Sequence, residues 1–416
     1  MTNGASAVEA VGTSSMMKYL STNGRWSGSA VTLFHFLGCG ISLIGVMFLL
    51  VHPPGPVHAQ EDDFRHAVEL TRTGRLHDAE LAWHQLARTY PENASVHSGL
   101  GVALAQQGQF EEAAIEYRRA LTLNPRQPDV SFNLGLAEFK QGHFVAAIEP
   151  LIAAAKEKPQ DNRSGLLLGM SYFGMRQYAR AVPYLQAATK SEPSNLELHN
   201  VLAQSCLWSA QYACAMTEYR TILTADPDSV QAHMLLGQAL DSMDRHAEAV
   251  AELEAAARIA PNEPNVHFEL GYLYYTQHDY ERAAAQFALE LKNNSANAQA
   301  YTYLGDIKLR NNDDPTAESL LAKATHLQND IRLAYFDLGC VYANQKRNQE
   351  ALAAFLRAEQ LDPMEPDAHY RLARIYTVLG EKQKADREFA KTKYLHSRTA
   401  ESLIQKVSGN TGAPPQ

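Results

Sequence analysis

Imidazole is the side chain best suited to bind a metal or carry a proton near neutral pH. Five of the sixteen histidines of this chain, His97, His199, His233, His267 and His369, are separated by whole multiples of 34 residues. If structure repeats at that period, His199, His233 and His267 stand in line on three successive units. Zinc holds its ligands at about 2.1 Å, whereas packed helices lie about 8–10 Å apart, so three rings in a line cannot share one ion. The spacing therefore supports rings that fill equivalent half-buried packing slots. Cysteine offers as little chemistry. Cys39 lies in an apolar stretch, which leaves Cys206, Cys214 and Cys340, an odd number for an exported domain. Cys206 and Cys214 fall on the two helices of one unit and could approach each other, but free cysteine is commonly buried, and both read as small packing residues. No phosphate-binding glycine loop, nucleophile motif or metal-ligand cluster occurs. The expectation is a non-enzyme with no catalytic residue, no metal and no cofactor.

The elements that place these histidines follow from a second set of residues. Ala79, Ala113, Ala147, Ala181, Ala215, Ala249, Ala283, Ala317, Ala351 and Ala385 recur every 34 residues without a slip. Thirteen residues before each stands a leucine, Leu100 to Leu372, except in the first unit, where His66 replaces it. One residue further on comes glycine (Gly101, Gly135, Gly169, Gly237, Gly271, Gly305, Gly339) or alanine (Ala67, Ala203, Ala373), and four residues after each periodic alanine a large apolar residue such as Trp83, Tyr117, Phe287, Phe355 or Phe389. Small residues on facing helices let two backbones approach, and large ones fill what is left. Polar or glycine turns (Gln107-Gly108, Gln141-Gly142, Leu379-Gly380) end the first helix, and a proline closes the second (Pro91, Pro125, Pro159, Pro193, Pro227, Pro261, Pro363). A period of this length belongs to a stacked array of helical hairpins.

On these residues the chain resembles the tetratricopeptide repeat family, as ten uninterrupted repeats over 60–399. Counted from residue 60, repeat two starts at Ala94, repeat four at Asn162, repeat seven at Pro264 and repeat ten at Pro366. Ser295, Asn329 and Ser397 depart from the closing proline, and Pro150 and Pro183 fall inside second helices, where each removes a backbone hydrogen bond. The resemblance implies an all-α fold, a right-handed superhelical solenoid of antiparallel helix pairs forming one elongated domain. The terminal repeats read as caps.

Net charge is −9, too mild to argue for a nucleic-acid partner. The last repeat is basic, with eight basic and four acidic side chains. It reads as a solvated cap, with a dedicated anionic contact as the other reading. Residues 1–30 read as a cytoplasmic or leader tail. Val31 to Val51 is apolar apart from His35 and Ser42 and long enough to cross a bilayer. Lys18 and Arg25 precede it and Glu61, Asp62 and Asp63 follow, so charge bias leaves the N-terminus in the cytoplasm and the repeats outside. The expected compartment is the bacterial periplasm or the periplasmic face of the inner membrane. Residues 52–59 form a linker in which Val57 and Ala59 carry small-residue cleavage spacing; cleavage after Ala59 and retention as an anchor both stay open. Residues 400–416 read as a C-terminal cap and disordered tail.

In the family, function lies on the concave face, lined by first-helix side chains that point away from the packing seam. The matching positions give a candidate binding strip: Phe132, Leu136, Phe139 and Lys140 in repeat three; Leu166, Met170 and Phe173 in repeat four; Asn200, Gln204 and Trp208 in repeat five; Gln238 in repeat six; Asn265, Phe268, Tyr272 and Tyr275 in repeat seven; then Phe336, Tyr370 and Arg374. Amides could bond an extended backbone and aromatic rings could hold its side chains. The same rings could instead fill the inside of a tight superhelical turn. The Lys, Asn and Arg set with which some family members clamp a terminal carboxylate is not matched. The expected function is an exported scaffold holding a protein or peptide partner. A narrower reading is a periplasmic adaptor in an envelope export or polysaccharide-secretion complex. A regulatory array of a glycosyltransferase is disfavoured because only a short tail follows the last repeat.

Overall fold

The computed structural model describes residues 57–408, with side chains from 61 to 398. Regular structure among the described residues is entirely helical. In chain order the helices are α1 (Val57–Arg72), α2 (Leu76–Thr89), α3 (Ala94–Gln106), α4 (Phe110–Leu123), α5 (Pro128–Lys140), α6 (Phe144–Glu157), α7 (Asn162–Gly174), α8 (Tyr178–Ser191), α9 (Leu196–Trp208), α10 (Tyr212–Ala225) and α11 (Val230–Asp241). They continue with α12 (His246–Ile259), α13 (Val266–Thr276), α14 (Tyr280–Asn293), α15 (Ala298–Arg310), α16 (Asp314–Leu327), α17 (Arg332–Asn344), α18 (Asn348–Leu361), α19 (Pro366–Val378) and α20 (Lys382–Ser408). The chain divides into two compact units after Asp244, so α1–α11 belong to one and α12–α20 to the other. Helices α6 and α8 run through Pro150 and Pro183 without interruption. No helix of the described residues is long and apolar enough to cross a membrane; Val31–Val51 and the tail beyond Ser408 lie outside them.

Every periodic alanine is buried, nine of the ten fully and Ala385 to 3 % exposure. The glycine twelve residues earlier packs under the large side chain that follows the alanine. A Cβ on Gly135 would come within 2.5 Å of Leu151 and 3.3 Å of the Ala147 carbonyl, and one on Gly339 within 2.5 Å of Phe355. The seam closes because the smallest residue of one helix faces the largest of the other.

Each turn from first to second helix contains one left-handed residue, at Gly74, Gly108, Gly142, Arg176, Ala210, Asp244, His278, Asn312, Lys346 and Gly380. Glycine takes that conformation freely, whereas a side chain costs about 1–2 kcal/mol there. The turn persists without glycine because it satisfies the helix end: Gln211 N donates to the Cys206 carbonyl at 2.8 Å and Ala210 N to that of Leu207 at 3.1 Å.

The periodic histidines hold repeats together. His97 Nε2 lies 2.9 Å from the carbonyl of Pro91, which closes the preceding repeat, and Nδ1 lies 2.6 Å from Glu116 on the second helix of its own repeat. His199 does the same with Pro193 at 3.1 Å and Glu218 at 2.5 Å, and His369 with Pro363 at 3.0 Å and Glu388 at 2.6 Å. A carbonyl only accepts, so the ring nitrogen that faces the proline carries the N–H, while the other nitrogen meets a carboxyl oxygen. In repeat seven Gln286 replaces the glutamate, 2.7 Å from His267, and an amide can supply either half of the bond. His97, His199, His267 and His369 are buried rather than half-buried. Burial suits them because each has a partner for both nitrogens.

Cys206 and Cys214 form a disulfide between α9 and α10 with Cα atoms 5.7 Å apart, which corrects their reading as free packing thiols. Residues eight apart at this place meet in other repeats too: Arg180 lies 4.2 Å over the Tyr172 ring, Arg282 4.3 Å over Tyr274, and Lys384 5.3 Å over Tyr376. Cys340 is a buried free thiol.

Candidate binding surface on the first helices

Within the first unit the strip is partly a wall and partly a surface. Phe132, Leu136, Phe139, Met170 and Gln204 are buried, which corrects the expectation that they face a partner. Phe132 lies under the Arg163 guanidinium, 4.6 Å from the ring centre, and Phe139 packs 5.5 Å from Phe144. Gln204 donates to Asn200 at 3.2 Å, tying two expected amide contacts to each other. Lys140, Leu166, Phe173, Asn200 and Trp208 are half-buried, as is Gln238. Partial burial pulls the Lys140 ammonium below its ordinary range. Phe173 and Trp208 stack at 5.9 Å, with Tyr178 4.8 Å from Trp208. One open aromatic group thus spans α7, α8 and α9.

In the second unit the same helix positions carry oxygen. Phe268 is buried, while Asn265, Tyr272, Tyr275 and Phe336 are half-buried and Tyr370 and Arg374 exposed. Tyr303, absent from the expected strip, is the hub of the rings: it lies 6.1 Å from Phe268, 5.3 Å from Tyr272 and 5.0 Å from Tyr275. Tyr275 donates its hydroxyl to Asp306 at 2.7 Å, and Arg310 Nε donates to the same carboxylate at 2.5 Å. Burial and the Asp306 charge raise the Tyr275 hydroxyl well above the ordinary phenol range. Beyond this chain lies Asp337, buried, with Oδ2 unpartnered. Burial and the Asp306 charge push its carboxyl well above the usual carboxylate range, against Arg310, Arg332 and Arg371. Phe336 packs 5.8 Å from Phe355.

Among the described residues no group of three or more acids, histidines and cysteines is placed to hold a metal. Nothing in either set forms a nucleophile–base pair; what they offer is aromatic surface, amides and fixed charges, the means of binding a chain. Sequence profiles described as tetratricopeptide repeat match residues 64–128, 104–169, 172–239, 230–263, 268–330 and 336–391. The chain belongs to the tetratricopeptide repeat family. A comparison with curated proteins finds no match. Among solved structures, YrrB, described as a TPR protein with an unusual peptide-binding site, is 20 % identical, with 45 % of this chain and 97 % of that one covered at a TM-score of 0.38. MamA of Desulfovibrio magneticus RS-1 is 22 % identical, with 41 % and 96 % covered at 0.37. A tetratricopeptide repeat protein of Parabacteroides merdae is 18 % identical, with 61 % and 99 % covered at 0.37.

Proposed function

We propose that this chain is a non-enzymatic scaffold that binds a protein or peptide on the first-helix faces of its repeats. One contrast carries the reading. The second-helix aromatics Trp83, Tyr117, Tyr219, Phe287 and Phe355 are at most 2 % exposed, whereas the first-helix rings Phe173, Trp208, Tyr272, Tyr275 and Phe336 stay half-open. Repeat packing needs the first group and leaves the second to other work. Rigid rings with a polar handle are the usual anchors of a protein interface. The surface open to a partner is narrower than the full strip: Lys140, Leu166, Phe173, Asn200, Trp208 and Gln238 in the first unit, Asn265, Tyr272, Tyr275, Phe336, Tyr370 and Arg374 in the second. Selection of peptides from a random display library on the full chain tests this. Peptides retained by the parent should be lost from Phe173→Ala or Tyr272→Ala with little change in melting temperature; retention by both variants would move the site elsewhere. Export rests on the apolar run 31–51 and the basic-to-acidic switch across it. A reporter active only outside the cytoplasm, fused after Gln416, should be active in a bacterial host, and an inactive reporter on a stable fusion would refute export.

A further inference from the structure

Repeat four keeps the frame of the histidine staple but not the ring. Gly165 stands where His97, His199, His233, His267 and His369 stand, Tyr184 where Glu116, Glu218 and Glu388 stand, and Pro159 keeps the closing proline. A Cβ at Gly165 would meet nothing within 4 Å, although one at Gly99, Gly135, Gly174, Gly305 or Gly339 would press against a side chain, as one at Gly169 would on Leu185 at 3.0 Å. The space is a half-open cavity of about 240 Å³ lined by Pro159, Asp161, Gly165, Leu166, Pro183 and Tyr184. Among the described residues none donates to the Pro159 carbonyl, whereas the matching carbonyls of Pro91, Pro193, Pro227, Pro261 and Pro363 each receive a histidine Nε2 within 3.1 Å.

We propose that this cavity binds the imidazole of a histidine side chain offered by a partner, whose ring N–H donates to the Pro159 carbonyl. The occupant is specified by the array itself, which places that ring on that carbonyl five times with its own residues. Size permits it: a cavity of roughly 150 Å³ takes a benzene ring, and 240 Å³ falls short of the roughly 300 Å³ where drug-sized pockets begin. The wall is largely hydrocarbon, from Ala155, Leu166, Pro183, Ala187 and Ala188, which suits a flat ring and not a strongly hydrated ammonium. Asp161 is held by the Arg163 guanidinium at 2.6 Å, so the charged groups beside the cavity are already paired and recognition rests on the ring shape and its N–H. The site stands apart from the aromatic surface proposed above, Leu166 alone being common to both, and either can fail without the other.

The test uses the full chain, labelled with ¹⁵N-glycine and ¹⁵N-leucine so that both the Gly165 and the Leu166 amides are read, and 4-methylimidazole as the probe. A saturable shift of the Gly165 amide is expected, with none from 4-methylthiazole, which has the shape of the probe but no N–H. Gly165→His should abolish the shift of the cavity amides and raise the melting temperature, because its own ring fills the space. His97→Gly makes the converse case: the melting temperature should fall, and 4-methylimidazole should restore part of the loss. No saturable shift at Gly165, an equal response to 4-methylthiazole, or no rescue of His97→Gly would each overturn the proposal. Because the parent titration needs no variant, a failure of Gly165→His to fold would leave the test intact.

Discussion

The two units solve one packing problem with different materials. At matching first-helix positions the first unit places Leu136 and Met170, both buried and apolar, before the amides Gln204 and Gln238, where the second places Tyr272 and the charged Asp306. One step along, Phe139 and Phe173 correspond to Tyr275, whose hydroxyl is bound to Asp306. The seam behind them is the same in both: Gly135 under Leu151, Gly305 under Leu321. The repeat is therefore indifferent to what its first helices present, provided that small meets large in the seam. A hydrocarbon wall tolerates small losses by relaxing, whereas a buried polar network is costly when any member is unpaired.

The largest effect is expected in the hydrocarbon wall. Phe139→Ala removes a buried ring and should cost about 3–5 kcal/mol, read as faster hydrogen exchange of the α5 amides with the second unit unchanged. Reduction of Cys206–Cys214 comes next, releasing a short loop for about 2–3 kcal/mol. Cys340 supplies the contrast in the second unit, since burial pushes its thiol up to about 12. It should resist alkylation until the protein unfolds. Asp306→Ala leaves the Arg310 and Tyr275 donors without their acceptor and should cost about 1.5–3 kcal/mol, seen as loss of protection in α13 and α15. Little loss there would mean that the oxygen-rich unit tolerates gaps as the hydrocarbon one does, and the contrast would fail.

These residues differ in how legible they are in the sequence. The seam is plain because its constraint repeats: the alanine, the glycine before it and the ring after it must recur wherever two helices touch. The disulfide is not, because Cys206 and Cys214 occur together once. Its signal was indirect, in the pairs Tyr172 and Arg180, Tyr274 and Arg282, Tyr376 and Lys384, all eight apart and all in contact. The staple had a similar trace, histidine and glutamate nineteen apart at 97 and 116, 199 and 218, and 369 and 388. Histidine alone suggested a packing slot, and only its partners reveal a clasp. Which strip residues are open was least legible. Phe132 and Phe336 have the same chemistry and equivalent places, yet only the first is buried, and its burial under Arg163 depends on a neighbour in the next repeat.

Asp337 sharpens the comparison through pH. Its carboxyl is raised well above the usual range, so between the unfolded value of about 3.9 and that raised value the folded chain holds a proton that the unfolded chain releases. A folded state that binds more protons loses stability as pH rises. Asp337→Asn removes that loss: the variant should melt above the parent at pH 7, and the difference should shrink as pH falls toward about 4. The charges that set this balance are Asp306, Arg310, Arg332 and Arg371. A gain that persists unchanged into acid would mean that packing, not titration, separates the two forms.

The smallest effect lies in the turns, where the units should behave alike. Ala210 in the first unit and Lys346 in the second hold φ near 58° and 62°, while Gly142 holds 78° at the equivalent place. A side chain in that region costs about 1–2 kcal/mol, and glycine returns part of the gain through its greater freedom when unfolded. Ala210→Gly and Lys346→Gly should therefore each stabilise by about 0.5–1 kcal/mol, and Gly142→Ala should destabilise by a similar amount. Equal gains in the two units would assign the turn to backbone geometry alone. A gain at Ala210 without one at Lys346 would show that the side chain at position 346 has a compensating role, and that the units differ in their turns as well as in the faces of their first helices.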